Sequence, residues 1–227
     1  MNAVDVGAGS LCSIRTVLFD LDGTLIDSHE LILSSYRHTM EVHLGWIPPD
    51  QAWLANMGKP LVTQLRGFAS GEDETRAMMK TYRRHNADVH DLLVRPFPGI
   101  EETVRRLLVG GYRLGIVTSK ARDVSIRGLE ACRLSPGWFE ALITSDDPVP
   151  HKPDPGPVHL ALSRVREEDP RRTLFVGDSV WDLMAGRSAG TRTAAALWGP
   201  FGREELAPGD PDVWLDRPGQ VAELLLP

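Results

Sequence analysis

Only two cysteines, Cys12 and Cys132, occur in the 227 residues. They lie far apart and form no CxxC pair. That argues against a disulfide framework or a thiolate zinc site, and it fits two reduced thiols in a cytoplasmic protein. Long apolar runs are missing as well, since none reaches the roughly 20 residues of a membrane span. The opening MNAVDVGAGSLCS has neither a basic start nor the apolar stretch of a secretory signal, so residues 1–13 are expected to form a loose tail. Positive charge is not in excess: Lys plus Arg is 25 and Asp plus Glu is 31, a formal net charge of −6. This balance argues against nucleic acid or an anionic membrane as a partner. It leaves room for a small anionic substrate, because a few local cations can dominate a cleft. There is no internal repeat and no low-complexity run.

What remains is a composition of 42% hydrophobic and 25% charged residues, the mark of a globular chain long enough for one α/β domain with an insertion. Short apolar runs recur at Arg15–Phe19, Arg113–Val117, Ala141–Ile143, Thr173–Val176 and Thr193–Leu197, as expected of strands buried on both faces. Between most of them lie helix-like stretches such as Glu101–Leu108 and Val158–Val165, whose apolar residues recur at helical spacing. Alternating strand and helix predicts a Rossmann-like, doubly wound parallel sheet.

The spacing then locates an insertion. About 34 residues separate Thr118 from Lys152, and about 26 separate Lys152 from Asp178. Each interval fits one βα unit. From Asp20 to Thr118 the interval is 98 residues, too long for one crossover helix. Residues 28–94 are therefore expected to be an inserted helical cap, with 1–27 and 95–227 forming the core. Leu31, Ile32, Ser35, Tyr36 and Thr39 share a helical face, and Pro48-Pro49 and Gly58-Lys59-Pro60 divide the insert.

The strand ends carry the chemistry, because the carboxyl ends of parallel strands open into a crevice. Asp20 and Asp22, two apart at a strand exit, can face one side and divide the work of attack and proton handling. Thr118 and Ser119 offer hydroxyls to phosphate oxygens. Lys152, set in His151-Lys152-Pro153, can neutralise developing negative charge. Gly177-Asp178-Ser179 ends the fourth strand, with Asp182 four residues after Asp178. Hard carboxylates without a cysteine or histidine cluster suit Mg2+, held by Asp20 and Asp178.

In order and setting, DLDGT, the run into Thr118-Ser119, the lysine of HKPDP and GDSVWD resemble the four motifs of the haloacid dehalogenase (HAD) superfamily, over nearly the whole chain. The resemblance implies Asp20 as nucleophile, Asp22 as general acid/base, and Thr118 and Lys152 as phosphate binders. It also implies Mg2+ held by the side chains of Asp20 and Asp178 and the backbone carbonyl of Asp22, with Asp182 in the outer shell. The insert resembles the helical cap of the phosphoglycolate phosphatase-like group, and such caps place a loop residue, here Lys59, near the leaving group. His29–Ser35, Tyr82-Arg83-Arg84-His85-Asn86, His90-Asp91 and Ile116–Arg122 are similar to the bacterial inorganic pyrophosphatases of the superfamily. Phosphoglycolate phosphatases share Arg95–Gly99. A phosphohydrolase acting on a small phosphorylated metabolite, as a monomer or dimer, is the expectation. Inorganic pyrophosphate is a candidate substrate, and the alternatives are a phosphoglycolate phosphatase, a sugar-phosphate mutase or a non-catalytic phosphate-binding regulator.

Several residues have simpler readings. Asp182 suits a helix N-terminus, and Lys59 could be a solvated lysine. Gly186–Gly190 spells GxSxG but lies between a helix and a strand, the wrong order for a nucleophile elbow. Gly7-Ala8-Gly9 precedes a strand and so lacks the setting of a nucleotide fingerprint. His38 and His43, like His85 and His90, are five apart and poorly spaced for a shared metal. The six tryptophans are expected in the core or between cap and core.

Overall fold

A computed structural model describes residues 5, 6 and 11–226 of the chain. The glycine pair at Gly7 and Gly9 lies outside them, as does most of the expected tail. Nine strands are present among the described residues: β1 (Asp5–Val6), β2 (Thr16–Phe19), β3 (Ile26–Asp27), β4 (Arg95–Pro96), β5 (Arg113–Val117), β6 (Ala141–Ile143), β7 (Thr173–Gly177), β8 (Arg192–Ala196) and β9 (Val213–Leu215). The helices are α1 (His29–Leu44), α2 (Asp50–Leu54), α3 (Leu61–Arg66), α4 (Glu72–Leu93), α5 (Ile100–Val109), α6 (Arg122–Ala131), α7 (Gly156–Arg164), α8 (Val180–Ser188), α9 (Arg203–Leu206) and α10 (Gly219–Leu225).

The main sheet runs β1-β9-β8-β7-β2-β5-β6, parallel except for β1 at its edge. All five apolar runs are strands of this sheet, so the α/β Rossmann-like expectation holds. Two elements go beyond it. β9 adds a sixth parallel strand, and Asp5–Val6, inside the expected loose tail, pairs with β9. β2 is buried along its whole length, with Val17 and Phe19 in one hydrophobic cluster and Leu18 in another, because alternate residues point to opposite faces. The two clusters are the helix-covered sides of the sheet.

Register sets the ends of the central strands level. Phe19 pairs with Ile116 on one side and Val176 on the other. Asp20 therefore emerges between the ends of β5 and β7, where Thr118 and Asp178 follow.

Residues 28–94 leave and return through a two-stranded ribbon, β3 against β4. Between them, α1 packs along α4. Pro49 and Pro60 stand at the N-caps of α2 and α3, with φ near −55° and extended ψ. These helices bury their own cluster of Leu33, Tyr36, Met40, Trp53, Leu65, Met78 and Tyr82. Trp53 stacks on Tyr36 at 4.9 Å and on Tyr82 at 5.7 Å. Trp46 departs from the expectation for the tryptophans, being 59% exposed.

Candidate active site

The first loop turns sharply after β2. Gly23 has φ +83°, and a Cβ there would lie 2.2 Å from Asp178 Oδ2. The position therefore requires glycine on both counts. The turn is closed by Thr24, whose hydroxyl donates to Asp178 Oδ1 at 2.9 Å. Gly177 and Gly199 similarly leave no room for a Cβ beside Asp182 and Asp178. The backbone thus packs tightly around a group of three buried carboxylates, Asp20, Asp178 and Asp182, with ligand atoms within 4.8 Å of one another.

Lys152 reaches into this group. Its Nζ donates to Asp20 Oδ1 at 2.7 Å, to Asp182 Oδ1 at 2.5 Å and to the Val117 carbonyl at 3.2 Å. Burial alone would lower the pKa of this ammonium, but Asp182 and Asp20 outweigh it and hold the pKa above the ordinary lysine value. Asp182 has a second task. Its Oδ2 accepts from the backbone N–H of Ser179 at 3.0 Å and from its hydroxyl at 2.6 Å, closing a capping box at the start of α8. The capping reading and the site reading of Asp182 therefore describe one residue.

One lysine does not balance three carboxylates. Burial raises Asp20 to about 7, against the opposing pull of Lys152. Burial, then repulsion from Asp20 and Asp182, raises Asp178 well above the carboxylate range. A buried excess of negative charge built from hard oxygen donors fits a small divalent cation.

Asp22 faces a different set of partners. Its Oδ1 accepts from Ser28 Oγ at 2.5 Å and pairs with Lys120 Nζ. Neither partner was singled out from the sequence. The signal for Lys120 was its place directly after Thr118-Ser119. Thr118 is buried, and its Oγ1 accepts from the Lys120 backbone N–H at 3.2 Å. Ser119, expected to hold a phosphate oxygen, donates its hydroxyl to the Gly58 carbonyl of the insert at 2.7 Å. Lys59 Nζ donates to Asn56 Oδ1 at 2.9 Å and lies 4.5 Å from the centre of the Trp181 ring.

These residues line one cleft of about 920 Å³. The sheet supplies its floor through Asp20, Asp22, Thr118, Lys152 and Asp178. The insert supplies its roof through Lys59, Gln64 and one face of α4, including Tyr82, Arg83, Asn86 and His90. Every site residue expected from the sequence reaches this cleft except Asp182, which lies beneath it against Lys152. A second groove of about 1170 Å³, bordered by Pro98, Arg105, Val109 and Cys132, holds no comparable carboxylate group. No helix among the described residues is long and apolar enough to cross a membrane. His38 and His85 stack at 4.4 Å between α1 and α4 and are not among the residues that line the cleft.

Comparison with known proteins agrees with this geometry. Residues 17–196 match the model of a family described as haloacid dehalogenase-like hydrolase. The pyrophosphatase PpaX of Bacillus velezensis is 39% identical over 204 residues, spanning 90% of this chain and 93% of that protein. The pyrophosphatase PpaX of Anoxybacillus flavithermus is 38% identical over 213 residues, spanning 94% and 97%. Among solved structures, a haloacid dehalogenase-like family hydrolase from Streptococcus pneumoniae superposes with a TM-score of 0.79 at 25% identity, covering 93% of this chain and 98% of that one.

Proposed function

The chain belongs to the haloacid dehalogenase-like hydrolases, and from that membership we propose a magnesium-dependent phosphohydrolase that cleaves inorganic pyrophosphate through a phospho-aspartate on Asp20. The observation that carries the reading is the pair Asp20 and Asp178 at level strand ends, with Lys152 reaching in from the loop before α7 to donate to Asp20, Asp22 beside it and a cationic roof above.

Asp20 Oδ forms a bond to phosphorus, and the bridging P–O bond breaks. Asp22 passes a proton to the departing phosphate. It then takes one from the water that attacks the phospho-aspartate, releasing the second phosphate and restoring Asp20. Lys152, locked by Asp20, Asp182 and the Val117 carbonyl, holds a fixed positive charge beside the phosphoryl oxygens. Thr118 supplies a hydroxyl to the same oxygens. Asp20 and Asp178, with the backbone carbonyl of Asp22 as the family resemblance implies, would hold magnesium, which would supply further charge neutralisation.

Residues 28–94 act as a cap over a core of 1–27 and 95–227, and shield the reaction from bulk solvent while admitting the attacking water. Lys59 meets the leaving group there. A charge-assisted hydrogen bond to an anionic leaving group contributes roughly 1.5–3 kcal/mol, so Lys59→Met lowers kcat/KM on pyrophosphate by about tenfold or more. The enzyme works in the cytoplasm, as a monomer or dimer.

The test is phosphate release with magnesium from pyrophosphate, phosphoglycolate, sugar phosphates and an aryl phosphate. Pyrophosphate is expected to show the highest kcat/KM. A sugar phosphate in first place, or isomerised in place of hydrolysed, overturns the assignment. Asp20→Asn is expected to retain under a few per cent of activity per folded molecule.

A further inference from the structure

Three lysines line the cleft, and their charges are used differently. Lys152 is gripped by Asp20 and Asp182, and Lys120 is paired with Asp22. Lys59 has no carboxylate partner among the described residues. Its contacts are one neutral acceptor, Asn56 Oδ1, and the face of Trp181. An indole face attracts a cation without cancelling its charge, and it occupies no N–H donor in a directed hydrogen bond. With one of its three donors on Asn56, the ammonium keeps others for a ligand.

The surroundings fix this contact. Trp181 is the second residue of α8, whose first turn is locked by the Ser179–Asp182 capping box. That box sits on the same Asp182 that grips Lys152. The insert is seated against it from above. Gly58 has φ +91°, and a Cβ there would lie 3.0 Å from Trp181 Cδ1 and 3.1 Å from Ser179 Oγ. Its carbonyl accepts from Ser119 Oγ at 2.7 Å. Ser119, Ser179 and Trp181 therefore form a seat on the core for the turn that carries Lys59.

From this we infer that Trp181 is a positioning residue for the leaving-group site: it holds Lys59 aimed into the cleft, and so selects phosphate compounds whose leaving group is itself anionic. The inference rests on the proposed role of Lys59 and deepens it. Trp181 is not among the residues that line the cleft, and acts through the lysine alone.

The experiment is a double-mutant cycle on the full-length enzyme with magnesium. Wild type, Trp181→Leu, Trp181→Phe, Lys59→Met and the Trp181→Leu/Lys59→Met double variant are compared on pyrophosphate and on an aryl phosphate. Trp181→Leu is expected to lose about tenfold in kcat/KM on pyrophosphate, at least fivefold more than on aryl phosphate. Trp181→Phe, which keeps an aromatic face, recovers most of that loss. In the Lys59→Met background, Trp181→Leu adds less than twofold. Equal losses on both substrates, no rescue by phenylalanine, or losses that multiply in the double variant overturn the inference, because each describes a merely structural tryptophan. If pyrophosphate is not a substrate, the functional reading fails and the same cycle is run on phosphoglycolate. An enzyme that turns over aryl phosphate but no ester with an anionic leaving group overturns the inference itself.

Discussion

Asp178 sits 3% exposed beside two other carboxylates, with the Thr24 hydroxyl as its donor and Lys152 committed to Asp20 and Asp182. Folding alone would favour a neutral amide here, since a buried unpaired charge costs several kcal/mol. Asp178→Asn keeps the acceptor that Thr24 needs and removes the repulsion. Its melting temperature without metal is therefore expected to exceed that of wild type. Magnesium reverses the order: it binds the folded wild type and raises its melting temperature, while the variant shifts little. Calorimetry with and without magnesium checks both halves. A metal-free variant less stable than wild type, with its magnesium shift intact, would show that Asp178 serves packing and not a cation. Lys152→Met is the opposite case. It leaves Asp20 and Asp182 buried without their partner and is expected to destabilise the fold by about 3–5 kcal/mol, read by denaturant unfolding.

At the scale of elements, the strands were legible where they are buried on both faces. Val17, Leu18 and Phe19, or Leu174, Phe175 and Val176, leave no alternative pattern. β9, Val213–Leu215, was not read as a strand, although it is as short and as buried as β6. Its identity as a strand comes from β8 beside it. Asp20, Asp22, Thr118 and Asp178 were legible for a related reason, since residues at the ends of buried strands have a fixed place; Lys152, in the loop between β6 and α7, was legible from its setting in His151-Lys152-Pro153. Lys120 and Trp181 were not, because their roles depend on partners 98 and 122 positions away, Asp22 and Lys59, that only the folded insert and loops bring near. The α1–α4 pairing carries its own pH dependence. Burial, then the neighbouring His38, lowers the pKa of His85 below the ordinary imidazole value. As pH falls, the unfolded chain takes up the proton first. The neutral stack is therefore fully tolerated above the ordinary range, and stability is lost as pH drops through it towards the lower folded value. Melting temperatures are expected to fall between about pH 7 and 5, and His85→Gln should flatten that slope. An unchanged slope would place the acid sensitivity elsewhere.

Across the whole molecule, the chemistry lies where two separately packed bodies of side chains meet. The sheet clusters hold the carboxylates at level strand ends, and the cluster around Trp53 holds the helices that roof them. In the proposed mechanism fixed charge comes from below, through Lys152, and discrimination between leaving groups from above, through Lys59. This division makes the phosphoryl group on Asp20 the common intermediate for any substrate the roof admits. Mass spectrometry of enzyme quenched in acid during turnover of pyrophosphate with magnesium addresses that claim directly. The account predicts one phosphoryl group on the peptide that carries Asp20, and none on Asp20→Asn treated alike. Sustained pyrophosphate turnover by wild type with the adduct on another residue would contradict it.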